Sequence, residues 1–195
     1  MANRITFQFE DDLDYQMQAI HSTVELFRGL SRHVDGIYRP NRVRKFGEGD
    51  PVRNSDVVVG SRLLENLRDV QLSNHLFADN ALAPGNNFTI EMETGTGKTY
   101  VYLRTILELY QEYGFKKFMI VVPSVAIRKG VEKSMEQLAD HFKRLYNIDI
   151  LKHSFIYNSD NPKQISSKLV ESSDLMVCAW HNKKWSSKAS ALCPL

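Results

Sequence analysis

The chain has 195 residues and a mass of 22.4 kDa, with 43% hydrophobic and 25% charged residues, a formal net charge of +2 and a pI near 8.5. That is enough chain and enough apolar content for a globular domain with a sizeable core, and the small positive charge neither demands nor excludes a polyanionic partner. No run approaches the ~18 apolar residues that cross a bilayer, the first residues lack the apolar core of a signal peptide, and Cys178 and Cys193 have neither C-x-x-C spacing nor a ligand cluster nearby, so the expectation is a cytoplasmic protein with free thiols and no membrane partner.

Taken in order, Ile5 to Phe9 alternates as a short strand or an extended arm would. Asp11 and Asp12 then offer N-caps for a helix whose apolar residues Leu13, Met17, Ile20, Val24 and Phe27 recur at helical spacing, with Gly29 as its stop. Gln16 falls beside Met17 rather than at the centre of this stripe. It is either a solvated surface residue or, because a Gln amide can both accept from and donate to an adenine edge, an adenine contact. From 30 to 87 the pattern weakens. Residues 36–51 are rich in turn formers and predict a loop or insertion; its Arg39, Arg42, Arg44 and Lys45, interleaved with Tyr38 and Phe46, are either a solvated basic face or a nucleic-acid contact. Ser61 is placed to cap a helix carrying Leu63, Leu64, Leu67 and Val70, and Leu82 to Asn87 contains a turn at Pro84 and Gly85.

The most informative stretch follows. Phe88-Thr89-Ile90 predicts a short strand, Glu91 to Gly97 a glycine loop, and Lys98 to Tyr113 a helix with Tyr100, Leu103, Leu107 and Tyr110 on one face and Gly114 as its stop. Thr94-Gly95-Thr96-Gly97-Lys98-Thr99 has the chemistry of a phosphate cradle. Its glycines let successive N–H groups turn inward on a polyphosphate, and the helix beyond Gly97 adds the positive end of its dipole. Lys98 would reach the β- and γ-phosphates as the catalytic lysine, and the Thr99 hydroxyl would help hold Mg²⁺. The first glycine of the full G-x-x-x-x-G-K-[ST] pattern is replaced by Met92. The plain alternative is a Gly/Thr-rich turn with an exposed lysine.

Beyond this loop the pattern becomes regular. Phe118 to Val122 is a continuous apolar run, as in a strand covered on both faces in a parallel sheet, and Pro123 ends it. Ser124 caps a helix whose buried side is Val131, Met135 and Leu138. A strand is expected within Ile148 to Ile156, a short helix over Gln164 to Leu169, and a further apolar strand over Leu175 to Ala179. Strands alternating with helices argue for βαβ crossovers and an α/β fold with ligand at the carboxyl ends of a parallel sheet.

Three pieces now stand in order: Leu13-Asp14-Tyr15-Gln16-x-x-Ala19-Ile20, then Met92-Glu93-Thr94-Gly95-Thr96-Gly97-Lys98-Thr99, then Val121-Val122-Pro123-Ser124-x-Ala126-Ile127-Arg128. Together they resemble the N-terminal part of the restriction (Res) subunit of type III restriction enzymes, within the superfamily 2 helicases and translocases, where a non-glycine residue at the position of Met92 is common. The resemblance covers the first 130 residues well and continues loosely to Ala179. It implies a RecA-like P-loop domain with a parallel sheet flanked by helices, occupying 88–180 after a helical and loop region at 1–87 and before an irregular tail at 181–195. It further implies ATP and Mg²⁺ as cofactors, Gln16 as the adenine-sensing glutamine, Thr94, Gly95, Thr96, Gly97, Lys98 and Thr99 as the nucleotide site, and Pro123, Ser124 and Arg128 as contacts to the DNA backbone. The implied partners are double-stranded DNA and a modification methyltransferase subunit. Pro123 and Ser124 would also end a strand and cap a helix whatever else they did.

The pattern departs from the family in one respect that matters chemically. Phosphoryl transfer in such motors uses an acidic residue at the end of a later strand to hold Mg²⁺ and a second to position water. Here Leu175 to Ala179 is followed by Trp180-His181-Asn182-Lys183-Lys184, and Asp174 stands at the wrong end. No second motor lobe or nuclease pattern is present. The expectation is therefore an N-terminal piece of a longer subunit, ended by a frameshift or stop near residue 180, turning over ATP weakly or not at all and liable to self-associate through an unpaired sheet edge. Two other readings stay open: a non-catalytic nucleotide-binding module, and an unrelated P-loop ATPase or small-molecule kinase.

Overall fold

The computed structural model describes residues 13–29, 61–157 and 175–181, together with the backbone of 32–34 and 37–39. The expected arm at 5–9, the two aspartates at 11 and 12, most of the basic segment, the helix expected at 164–169, Cys193 and the tail lie outside these residues.

Helix α1 spans Asp14–Glu25 and is entered through Leu13, whose extended backbone stands at the N-cap with no side-chain cap bond. Neither expected aspartate is therefore its cap. Ile20 and Val24 are buried and Gln16 lies in the same i, i+4 row, so Gln16 is buried with them. This corrects its placement off the apolar stripe. The helix ends before Gly29 (φ +68°), which follows two further turn bonds, from Phe27 N–H to Val24 O and Arg28 N–H to Glu25 O. Carbonyls left over at this end are taken by the buried Asn66, whose Nδ2 donates to Leu26 O at 2.9 Å and Arg28 O at 2.8 Å.

Strands β1 (Arg32–Val34) and β2 (Ile37–Arg39) form an antiparallel pair with Arg32 opposite Arg39 and Val34 opposite Ile37. Residues 37–39 of the segment predicted as a loop thus form a strand. Helix α2 (Ser61–Ser73) takes Ser61 as its first residue rather than its cap, and its Leu63 packs with Leu26 beneath Leu67, Val70, Leu82 and Phe88.

Helix α3 (Lys98–Tyr113) has the predicted limits, and Gly114 (φ +67°) closes it by donating its N–H to Tyr110 O at 2.8 Å. It is buried on two sides rather than one. Val101, Leu109 and Tyr113 join Ile20 and Val24 of α1, while Tyr100, Leu103, Ile106 and Leu107 join the main core. Strand β3 (Lys117–Val122) leads through Pro123 into α4 (Val125–Tyr146), whose N-cap Ser124 accepts from Ile127 N–H at 3.2 Å as expected. Strands β4 (Ser154–Ile156) and β5 (Met176–His181) complete a parallel sheet in the order β3-β5-β4. Strand β5 extends two places past the predicted end, so Trp180 and His181 pair with Val121 and Val122.

One face of this sheet, with Phe118, Ile120, Val177 and Ala179, packs beneath Val131, Met135, Leu138 and Phe142 of α4 and the inner side of α3. The fully buried Val177, Met135 and Phe142 side chains each contribute roughly 1.5–3 kcal/mol. On the other face Met119, Phe155, Tyr157, Met176 and Cys178 pack on one another, and Val121 is 38% exposed. The expected burial of β3 on both faces is thus incomplete. The stretch 88–90 is not a strand: it runs outside the described sheet, with Ile90 48% exposed, and is anchored by Phe88 against Leu26 and Leu63 and by Met92 against the α1–α3 cluster. Side-chain packing holds it where a ladder was expected. Among the described residues no helix is long and apolar enough to cross a membrane.

Candidate nucleotide site and nucleic-acid interface

The glycine loop departs from ordinary backbone at two points. Gly95 (φ +86°) and Gly97 (φ +82°) are both left-handed, a conformation that costs residues with a Cβ roughly 1–2 kcal/mol. They differ in their surroundings. A Cβ on Gly95 would meet nothing within 4 Å, whereas one on Gly97 would stand 2.5 Å from Gln16 Nε2. Gly97 is therefore fixed by conformation and by space, and it forms the N-cap of α3.

The side chains of the loop fold around Glu93. Thr96 Oγ1 donates to Glu93 O at 2.7 Å and Lys98 Nζ donates to the same carbonyl at 2.9 Å. Gln16 Nε2 donates to Thr96 O at 2.9 Å, across 80 residues of sequence. The structure thus brings Gln16 against the loop, as two motifs meeting at one place. Met92, at the position where the full pattern has its first glycine, packs against the apolar cluster between α1 and α3, so the departure supplies an apolar anchor for the base of the loop. Glu91, Glu93, Thr94, Gly95 and Lys98 are exposed, which leaves the cradle open to a ligand. Thr99 is half-buried and hydrogen-bonded to Tyr102; burial raises the Tyr102 pKa and that bond partly offsets the rise. Among the described residues no group of three or more His, Cys, Asp or Glu is arranged to hold a metal ion, and β5 ends in Trp180-His181 without a carboxylate.

At the carboxyl end of β3, Pro123 is exposed and Ser124 uses its hydroxyl as the α4 cap. Arg128, one turn into α4, is half-buried. Its Nη1 donates to Tyr157 O at 3.3 Å, while its Nε is buried with no acceptor. Leaving a buried donor unpaired costs about 1–3 kcal/mol. An anionic oxygen that drew this guanidinium outward would relieve that cost.

Sequence reading gave no sign of the polar seam between α3 and α4. Tyr100 Oη lies 3.2 Å from His141 Nε2, with both residues buried, and Arg104 Nη1 donates to Tyr100 Oη at 2.9 Å. Arg104 Nε donates to Tyr146 Oη at 2.9 Å, and Tyr146 Oη donates to Glu108 Oε1 at 2.6 Å. Burial works against the Arg104 charge, but the attraction and hydrogen bonds of Tyr146 and Tyr100 outweigh it and hold its pKa above the ordinary value. Burial, then the bond to Glu108 and its charge, pushes the Tyr146 phenol well up. The i, i+4, i+8 spacing of Tyr100, Arg104 and Glu108 was the available signal: three polar side chains on the face of α3 that also carries Leu103 and Leu107.

Comparison with known proteins gives the chain a family. Residues 11–184 match the family described as type III restriction enzyme, res subunit. The Res subunits of the type III restriction-modification enzymes EcoP15I from Escherichia coli and EcoPI from Escherichia phage P1 are each 26% identical over 184 residues, 92% of this chain and 18% of the relative. The StyLTI Res subunit of Salmonella typhimurium is 47% identical over 62 residues, 31% of this chain and 6% of that protein. The chain thus spans about a fifth of the length of the first two relatives. Since the family match runs through nearly the whole chain and the fold is the RecA-like α/β arrangement, with a parallel sheet flanked by helices, this protein belongs to the type III restriction enzyme res-subunit family.

Proposed function

We propose that this chain is the ATP-binding part of a DNA-dependent, helicase-like translocase subunit of a type III restriction enzyme, working in the cytoplasm on double-stranded DNA with a modification methyltransferase subunit. The observation that carries the reading is the loop Thr94 to Thr99, with two left-handed glycines ahead of α3 and a glutamine from α1 seated on its backbone. In this reading Gly95, Thr96 and Gly97 turn backbone N–H groups toward the phosphates, and the N-terminus of α3 favours their negative charge. Lys98 leaves the Glu93 carbonyl for the terminal phosphates, and Thr99 is the one protein ligand to Mg²⁺ that the motif supplies. Bound Mg²⁺ would neutralise charge on the phosphate oxygens. Gln16 holds the loop and presents its amide to adenine; Pro123, Ser124 and Arg128 face the phosphate backbone of DNA.

A second reading, a nucleotide-binding module without turnover of its own, is favoured by the carboxylate-free end of β5. Such carboxylates supply electrostatic and positioning effects commonly worth several kcal/mol. ATP binding and hydrolysis by the purified chain, with Mg²⁺, with and without duplex DNA, and beside Lys98→Ala, separates the two. Lys98-dependent binding with turnover stimulated by DNA supports the motor reading; binding without turnover supports the module; binding unchanged in Lys98→Ala would sink both.

A further inference from the structure

The carboxyl end of the sheet carries an aromatic pair that the nucleotide loop does not use. Tyr157 directly follows β4 and donates its N–H to Ala179 O at 2.9 Å, one step beyond the Ile156–Ala179 pairing. That register sets it beside Trp180, itself paired with Val121 on β3. Val121, Trp180 and Tyr157 therefore form one row across three parallel strands, on the sheet face turned away from α4. The Tyr157 and Trp180 rings meet edge to face, with centroids 5.9 Å apart and planes at 84°. Both residues are half-buried, and Val121 is exposed. The Arg128 guanidinium closes one end of the row through its bond to the Tyr157 carbonyl, and its Nε has no acceptor.

Two aromatic rings on the end of a sheet, with a guanidinium bonded to the backbone of one of them, match the demands of a nucleobase next to a phosphate. A ring face accepts a base by stacking, whatever its sequence, and a guanidinium accepts the backbone oxygen of the same nucleotide. The perpendicular setting of the two rings suits one base: it stacks on one ring and meets the edge of the other. We propose that Trp180 and Tyr157 form a stacking platform for an unpaired nucleobase, with Arg128 on the adjoining phosphate. This rests on the nucleic-acid reading above and goes beyond it, because backbone contacts alone would be indifferent to whether a base is present.

The chain has two tryptophans, Trp180 and Trp185, so Trp185→Phe leaves Trp180 as the sole indole reporter. This variant is titrated with a thymidine oligonucleotide, with the same strand made abasic, and with a duplex. Saturable quenching of Trp180 emission is expected with the base-bearing strand and not with the abasic one. In parallel, Trp180→Leu is expected to weaken the base-bearing strand about tenfold and leave the abasic strand unchanged, Trp180→Phe to retain most of the affinity, and Arg128→Gln to weaken both strands. Equal quenching by abasic and base-bearing strands, or equal affinities of Trp180→Leu and the parent for the base-bearing strand, would overturn the platform while leaving the DNA reading intact. Absence of binding to any of the three nucleic acids by the parent chain would overturn both. The quenching experiment alters neither Tyr157 nor Trp180, so a folding defect at the pair cannot decide it.

Discussion

The glycine loop and the α3–α4 seam both begin at the same helix, yet they satisfy their polar groups in opposite ways. In the seam, Tyr100, Arg104, Glu108, Tyr146 and His141 are bonded in a chain that runs from the buried Tyr100–His141 pair out to the half-buried Arg104, Tyr146 and Glu108. In the loop, Thr96 and Lys98 bond a backbone carbonyl beside them, most side chains stay exposed, and one long-range bond from Gln16 ties the loop to α1. The seam therefore contributes to holding α3 against α4, while the loop can change partners at small cost when a ligand arrives. A partly satisfied network is costly in a core and harmless at a surface, because water is available only at the surface.

The largest effect is expected from Tyr146→Phe, which keeps the ring and removes the hydroxyl shared by Arg104 and Glu108. Both partners are left short of a bond in a part-buried place, a loss of about 1–3 kcal/mol. Urea unfolding should show it, while Lys98-dependent nucleotide affinity at low denaturant stays near the parent value. A parallel fall in that affinity would mean that the seam and the loop are not separable. The pH dependence gives a second readout. An unfolded tyrosine titrates near 10, and the folded Tyr146 is raised, so its contribution is fully present below about pH 10 and is lost as pH climbs toward the folded value. Tyr146→Phe should flatten that part of the alkaline limb. Cys178, pushed up to about 11 by burial, contributes to the same limb from the unfolded thiol's titration near 8.5 upward and should remain in the variant.

A middle-sized effect separates the two glycines. Gly95→Ala meets only the strain of a left-handed backbone, about 1–2 kcal/mol, since the space around it is open. Gly97→Ala meets the same strain and also displaces Gln16, which adds up to about 1 kcal/mol for the lost hydrogen bond. The excess of Gly97→Ala over Gly95→Ala should vanish when both are made in a Gln16→Ala background. An excess that persists there would place the crowding somewhere other than Gln16.

These expectations show which parts of the molecule sequence can carry. The limits of α3, the Ser124 cap and the parallel α/β order were legible because each depends on local chemistry: a left-handed glycine, a capping hydroxyl, a two-sided apolar run. Gln16 was placed beside the stripe although it stands one turn before Ile20 and two before Val24 on one buried row, and that row does not reveal the loop it touches 80 residues away. The stretch 88–90 has strand composition, but a strand also needs a neighbour, and the described sheet puts none beside it. The α3 half of the seam left a signal in its i, i+4, i+8 spacing, but its partners on α4 are distant in sequence, and the aromatic row is brought together only by strand register.

The smallest change in stability, and the sharpest test of the loop, is expected from Gln16→Ala. It removes one bond to the Thr96 carbonyl, an acceptor that water can reach at the edge of an exposed loop, so the cost should be about 1 kcal/mol. What matters is the ratio of affinities for ATP and GTP. If the amide both braces the loop and reads adenine, ATP loses more than GTP and the ratio falls. If it only braces the loop, both affinities fall together, because the phosphates they share lose the same preorganised cradle. Gln16→Glu refines the comparison, since it keeps the length and an acceptor but removes the N–H₂ that now reaches Thr96. A ratio that falls in Gln16→Ala and also in Gln16→Glu would assign the adenine contact to the amide's donor side, leaving the same group to serve loop and base in turn.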